Sequence, residues 1–337
     1  MTHRIVLDTD LGSDVDDALC LALALASPEI ELVAVTHVSG DTRLRARITR
    51  RLLDLAGRAD IPVYAGCEQS RSGANSFVWF GNEGKGILDT EPHAEAETIF
   101  HDHAVDAIIR LFGAATDLEL VAVGPLTNVA AALDRDPSLA GRIKQLTIMG
   151  GHIRRVEYGG QVFPPIVDYN LCSDPAASQL VLGAGIPTRL VPTDVTMQVW
   201  MTAGELQQLE TSSLDLHRAL ARAVHLWTPI MRQLFGATGA AMDEDHVAFL
   251  HDPLAMACVY EQSFCTFEDL PIEPVVYDGI FRTVEHARPT GATHQICCAT
   301  AVDAPRFRAH FIDRLLRNTS PAAEIPSPVS TSANGGG

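Results

Sequence analysis

Five aspartates, Asp8, Asp10, Asp14, Asp16 and Asp17, crowd the stretch where the first apolar run of the chain gives way to charge. Carboxylates this close repel one another strongly unless positive charge sits among them. A hard divalent cation answers that need, because Ca²⁺ and Mg²⁺ take oxygen ligands. Gly12 permits a turn sharp enough to bring Asp10 back toward Asp17. Helix capping is the competing account. Ser13 followed three residues later by Asp16 fits a capping box, and Asp16 and Asp17 suit a helix N-terminus through the macrodipole. Capping leaves Asp8 and Asp10 unexplained, at a strand end and aimed at the same loop. The two accounts are compatible. An acidic turn would repel a pyrophosphate, which argues against a dinucleotide site.

The elements that must position these acids are legible from hydrophobic pattern. Arg4 to Asp8 reads as a buried strand, Asp16 to Ala26 as a buried helix, Glu31 to Val38 as a strand and Arg43 to Ala56 as a helix. Ile61 to Ala65 reads as a short strand, followed by a long loop from Gly66 to Glu95 and a helix through Phe112. A strand at Leu118 to Val123, a helix at Thr127 to Leu133 and a strand at Ile143 to Met149 continue the alternation. Such βαβα order predicts an α/β fold with a mainly parallel central sheet flanked by helices. Ligands of such sheets sit beyond the carboxyl ends of the strands, where the acids lie. Further on, Asp174 to Gly183 and most of Gly204 to Phe235 read as helical, and Thr188 to Val191 as a strand. Ile272 to Tyr277, Phe281 to His286 and His294 to Cys298 read as a small antiparallel addition, before a last helix, Ala304 to Leu316. One domain over residues 1–317 and a disordered Pro, Ser, Ala and Gly tail over 318–337 are expected.

Composition narrows the partners. A chain of 337 residues with 47% hydrophobic content can bury a large core, and its longest apolar stretch, Ala18 to Ala26, is too short to cross a bilayer. A net charge of −17 argues against a nucleic acid. Arg43, Arg47, Arg50 and Arg51 fall at helical spacing and read as a solvated helix face rather than a phosphate site. The seven cysteines form no CxxC pair, and no secretory signal is visible. Reduced thiols in a cytoplasmic protein are expected.

The motifs resemble the nucleoside hydrolase family, also called inosine-uridine preferring nucleoside hydrolases. Asp8-Thr9-Asp10-Leu11-Gly12 followed by Asp16-Asp17-Ala18 is similar to the family's N-terminal signature. Ile61-Pro62-Val63-Tyr64-Ala65-Gly66, Gly124-Pro125-Leu126-Thr127-Asn128-Val129-Ala130 and Met149-Gly150-Gly151 match later motifs in the family's order. So do Asp168-Tyr169-Asn170 with Asp174-Pro175-Ala176-Ala177, and His251-Asp252-Pro253-Leu254-Ala255. The resemblance implies Ca²⁺, ahead of Mg²⁺, held by Asp10, Asp17, the Thr127 carbonyl and Asp252. It implies Asp16 as the acid that activates water, Asp168 and Asn170 as sugar contacts, and His251 as a group that protonates the departing base. It also implies a homodimer or homotetramer acting on a nucleoside or related N-glycoside.

Physical logic points the same way. Breaking an N-glycosidic bond develops oxocarbenium character on the sugar, which nearby carboxylates stabilise, while a cation fixes the sugar and a carboxylate takes a proton from water. Departures from the family pattern bear on detail. Two extra residues between Gly12 and Asp16-Asp17 leave Asp14 as an alternative base or metal ligand. Asp41 stands where asparagine is usual, Asp168 where glutamate is, and Val162 where an asparagine commonly binds sugar. Trp79, Phe80 and Asn82 replace a His-Gly, and with Met149, Tyr169, His225 and Trp227 they complete the expected substrate pocket. Two alternatives remain: a binding protein that keeps fold and metal without turnover, and a metal-dependent phosphohydrolase. The second also opens on apolar residues and Asp-x-Asp, but here the acids run directly into a helix.

Overall fold

The computed structural model describes residues 2–71, 82–89, 102–165 and 168–317. Its strands are β1 (His3–Thr9), β2 (Ile30–His37), β3 (Val63–Ala65), β4 (Leu118–Ala122), β5 (Gln145–Met149), β6 (Val156–Tyr158), β7 (Gln161–Phe163), β8 (Thr188–Val191), β9 (Trp200–Thr202), β10 (His246–Phe249), β11 (Cys265–Tyr277), β12 (Ile280–Glu285) and β13 (His294–Val302). Its helices are α1 (Asp16–Ala26), α2 (Thr42–Leu55), α3 (Ala104–Ala114), α4 (Thr127–Arg135), α5 (Tyr169–Ser173), α6 (Pro175–Gly183), α7 (Thr193–Thr196), α8 (Ala203–Glu210), α9 (Asp215–Ala237), α10 (His251–Tyr260) and α11 (Ala304–Arg317).

Nine strands form one sheet in the order β12-β11-β13-β8-β5-β4-β1-β2-β3. From β13 through β3 all neighbours pair parallel, and β11 pairs antiparallel with both β13 and β12. The antiparallel strands are therefore an extension of the main sheet, joined to it through β13 beside β8, rather than a separate unit. Strand alternation divides the core between the two faces. Ile5 and Leu7 pack with α1, α9, α10 and α11, whereas Val6 packs with α3, α4 and α6. Helix α1 has no wet face: Asp16 to Ala24 are all buried. Each fully buried leucine there, Leu19, Leu21 and Leu23, contributes about 1.5–3 kcal/mol.

The chain winds from β1 outward to β3, then returns to the other side of β1 with β4 and continues to β5 and β8. This reversal makes the carboxyl ends of β1 and β4 a topological switch point, where open α/β sheets bind ligands. The short pairs β9–β10 and β6–β7 and the break between α8 and α9 were not legible in sequence. The tail, residues 318–337, lies outside the described residues.

Candidate active site

Parity in β1 decides where each acid goes. Asp8 shares the face of Val6, and its Oδ1 accepts from Thr36 Oγ1 (2.6 Å) and Asn128 Nδ2 (2.8 Å). It ties β1 to β2 and α4 and does not face the acidic loop as the sequence suggested. Burial pushes its carboxyl up to about 6. Thr9, on the opposite face, donates to Asp17 Oδ1 in the first turn of α1. The loop between β1 and α1 turns at Gly12, whose φ is +124°, and a Cβ there would meet Ile48 Cδ1 at 2.8 Å. No side chain caps α1, and its N-cap residue is Val15, so the Ser13–Asp16 capping box does not form.

Arg45, on the buried face of α2 with Ile48, Thr49 and Leu52, reaches back under this loop. Its guanidinium donates to Ser39 O (2.6 Å), Ser13 Oγ (2.9 Å) and the Asp10 carbonyl. Only 2% of Arg45 is exposed, and its charge lowers the carboxyls of Asp10, Asp14 and Asp17. Sequence reading passed over this residue among its arginine neighbours. The signal was its spacing three, four and seven residues before Ile48, Thr49 and Leu52. Arg43 and Arg47 are exposed as expected, and Arg50 bonds to the Arg58 and Ile61 carbonyls, closing the turn after α2.

The acids open into a cleft with about 850 Å³ of space between its walls, part of it open to solvent. Part of the lining is polar: Asp10, Ser13, Asp14, Asp16, Asp17 and Asp252, with Asp168, Tyr169 and Asn170. The apolar part of the lining comes from Trp227, Met231, Leu234 and Phe235 of α9 with Phe249 of β10. Val123, Met149, Thr193 and His251 complete the lining. One carboxylate oxygen from each of Asp14, Asp16 and Asp17 lies within 4.8 Å of the others, and Asp16 Oδ2 accepts from the Asp252 backbone N–H at 3.4 Å. Burial pushes Asp10 up to about 7 and raises Asp14, while burial and neighbouring carboxylates drive Asp16, Asp17 and Asp252 well above the usual carboxylate range. Crowded hard oxygen donors with one buried guanidinium among them fit a divalent cation, whose charge would hold them ionised.

Several expected residues thus converge: Asp10, Asp14, Asp16, Asp17, Met149, Asp168, Tyr169, Asn170, Trp227, His251 and Asp252. Asn170 Nδ2 donates to the Val123 and Met149 carbonyls, which leaves its oxygen as the group for a ligand. Asp168 Oδ1 accepts from the Leu171 N–H, so it caps α5 as well as lining the cleft. Thr127 opens α4 and donates its hydroxyl to Asp174 Oδ2 (2.8 Å). The segment leading to it runs close to Asp10, since a Cβ at Gly124 would lie 2.8 Å from Asp10 Oδ1. Burial pushes the His251 imidazole down to about 4, which favours its neutral form at neutral pH.

Other expected residues among the described ones lie outside the cleft lining. Asp41 is exposed and accepts from the Leu44 N–H, because α2 begins right after it and needs an N-cap. His225 is exposed on the far side of α9, paired with Glu210 in another hollow. Asn82 lines an adjoining hollow that shares Ser13, Asp14 and Trp227 with the cleft. Val162 is 55% exposed in β7, away from the lining. Trp79 and Phe80 lie outside the described residues. The apolar residues Met231, Leu234, Phe235 and Phe249 were missed; the first three recur with Trp227 at helical spacing, which a tertiary partner alone marks as a pocket wall.

The sequence profile described as inosine-uridine preferring nucleoside hydrolase matches residues 5–309. The inosine-uridine preferring nucleoside hydrolase of Leishmania major is 28% identical over 333 residues, covering 95% of this chain and 100% of that one. The protein of the same name from Crithidia fasciculata is 30% identical over 280 residues, 81% of this chain and 84% of that one. Among solved structures, a purine-preferring ribonucleoside hydrolase from Gardnerella vaginalis superposes with a TM-score of 0.80 at 26% identity, covering 94% of this chain and 99% of that one. A plant nucleoside hydrolase gives the same values. With an acid-lined cleft at the switch point of a matching fold, the chain belongs to the inosine-uridine preferring nucleoside hydrolase family and is a hydrolase of N-glycosyl compounds.

Proposed function

We propose that the protein is a metal-dependent nucleoside N-glycosidase that releases free base and ribose. The observation that carries this reading is the cleft's mixed lining: carboxylates, an aromatic and aliphatic surface from α9 and β10, and His251, which stacks on Phe249 and precedes Asp252. A ribosyl group belongs against the acids, where negative charge stabilises the oxocarbenium character that develops as the bond to the base breaks. A planar base belongs against Trp227, Phe235 and Phe249, where stacking and desolvation hold it.

Asp10, Asp17, Asp252 and the Thr127 carbonyl would hold the cation, Ca²⁺ ahead of Mg²⁺. Asp14 and Asp16 lie close enough to Asp17 for either to share in holding it. When bound, the cation supplies Lewis acidity and fixed positive charge among the acids. Asp16, or Asp14 in its place, takes the proton of the attacking water. The Asn170 oxygen and Asp168 accept from sugar hydroxyls, and His251 donates to the departing base, placing a donor where negative charge develops. The family match over residues 5–309 disfavours a phosphohydrolase. The family resemblance also leads us to propose a homodimer or homotetramer in the cytoplasm.

The test is incubation with Ca²⁺ and a panel of purine and pyrimidine ribonucleosides, measuring free base and reducing sugar. Release abolished by chelator supports the proposal. Ca²⁺ binding with no release from any nucleoside would overturn it in favour of a non-catalytic binder.

A further inference from the structure

His251 is held by more than its place at the start of α10. Its Nδ1 lies 2.7 Å from the hydroxyl of Thr196, a residue with 0% exposure at the end of α7. The ring of Phe249 stacks on the imidazole with centroids 5.1 Å apart and planes 25° from parallel. Helix α7 is itself pinned to the end of β5. The Thr193 N–H donates to the Gly151 carbonyl (2.8 Å), and Asp194 Oδ1 accepts from the Ile153 N–H (2.9 Å).

A threonine hydroxyl has one proton to give. The other acceptor near Thr196 is the Thr193 carbonyl at 3.4 Å, longer than an O–H···O bond usually runs. With the hydroxyl proton in the short contact, Nδ1 is the acceptor. A neutral imidazole with Nδ1 accepting carries its hydrogen on Nε2. That is the ring nitrogen the Thr196 contact does not use, on a residue that lines the cleft.

We propose that Thr196 is a positioning residue that fixes His251 in the Nε2–H tautomer, so that the ring donates to the departing base. This rests on the N-glycosidase reading. As the glycosidic bond breaks, its electron pair passes to the base nitrogen. The Nε2 proton stays on His251 as a hydrogen-bond donor, and the base takes its proton from water. A nucleoside, whose leaving base is poor, needs that donor; a sugar joined to a good leaving group does not.

The experiment compares Thr196→Val, which keeps the shape and loses the hydroxyl, with Thr196→Ser, which keeps the hydroxyl. Turnover is measured with a ribonucleoside and with 4-nitrophenyl β-ribofuranoside, and the His251 tautomer is read by ¹⁵N–¹H correlation NMR of the ring. For Thr196→Val, kcat on the nucleoside should fall roughly tenfold with KM little changed, on the general scale of one lost orienting contact. The nitrophenyl riboside should lose less than about threefold, and Thr196→Ser should restore both. Equal losses on the two substrates, or an Nδ1–H ring in the unaltered protein, would overturn the proposal. The NMR readout needs no turnover. If no nucleoside were cleaved, the glycosidase reading alone would fail, and the ring tautomer would still decide Thr196.

Discussion

Arg45→Met is the perturbation that most directly probes how the acidic loop is held. It replaces a buried guanidinium, which donates to three oxygens, by an apolar side chain of similar length. The Asp10 and Ser39 carbonyls and Ser13 Oγ lose their donor, and Asp10, Asp14 and Asp17 lose the charge that lowers their pKa values. Removing one partner from a buried ionic arrangement costs about 3–5 kcal/mol. At roughly 2–4 °C per kcal/mol, Tm should fall by on the order of 10 °C. The second half of the prediction involves metal. A cation bound among the acids relieves the same repulsion that Arg45 relieves, so it should matter more when Arg45 is gone. Calorimetry at pH 8 in chelator and in saturating Ca²⁺ should show the gap between variant and parent narrowing by about 1 kcal/mol or more in Ca²⁺. Arg45→Lys, which keeps the charge and loses the fork, should fall between the two. An equal or wider gap in Ca²⁺ would refute the reasoning, because Arg45 and the metal would then not share one electrostatic task.

Removing two proposed ligands together, in an Asp10→Ala, Asp252→Ala variant, should abolish both nucleoside turnover and the rise of Tm with Ca²⁺; full activity in that variant would dismiss the metal site. His251→Ala should slow nucleoside cleavage roughly 10²–10³-fold, the scale of a lost transition-state donor, with a smaller loss for activated ribosides; a uniform loss would assign His251 another role. Asp41→Ala should cost about 1 kcal/mol as a lost N-cap and leave KM unchanged, whereas a raised KM would restore Asp41 as a substrate contact. His37 gives a pH prediction. Burial and the charge of Arg45 push its imidazole down to about 3. The unfolded chain therefore takes up a proton below about 6.5 that the native state refuses until about pH 3, so stability is full above pH 6.5 and is lost as pH falls. At pH 4.5 the loss should be about 3 kcal/mol. Urea titrations should show His37→Leu with a shallower acid limb than the parent, and superimposable limbs would count against it.

The sequence by itself determined the order of strands and helices through the first half of the chain, because apolar runs with period 2 or 3.6 are local signals. It also determined that carboxylates gather near the end of β1, since five aspartates fall between Asp8 and Asp17. It could not say which of them meet. Asp8 turns to Asn128, 120 residues away, and Asp16 meets the backbone of Asp252, 236 residues away. Separations of 35 and 55 residues hid Arg45 under the Asp10 carbonyl and Thr196 beside His251. Read locally, Trp227, Met231, Leu234 and Phe235 are one apolar stripe of a helix, and Asp41 is one acid near a strand end. Only the packing of α9 around the same cleft as the acids made the stripe a pocket wall, and only the early start of α2 made Asp41 a cap. Local pattern fixes which element a residue belongs to. What a side chain touches depends on which elements the folded sheet brings together, and that is written in contacts between distant parts of the chain.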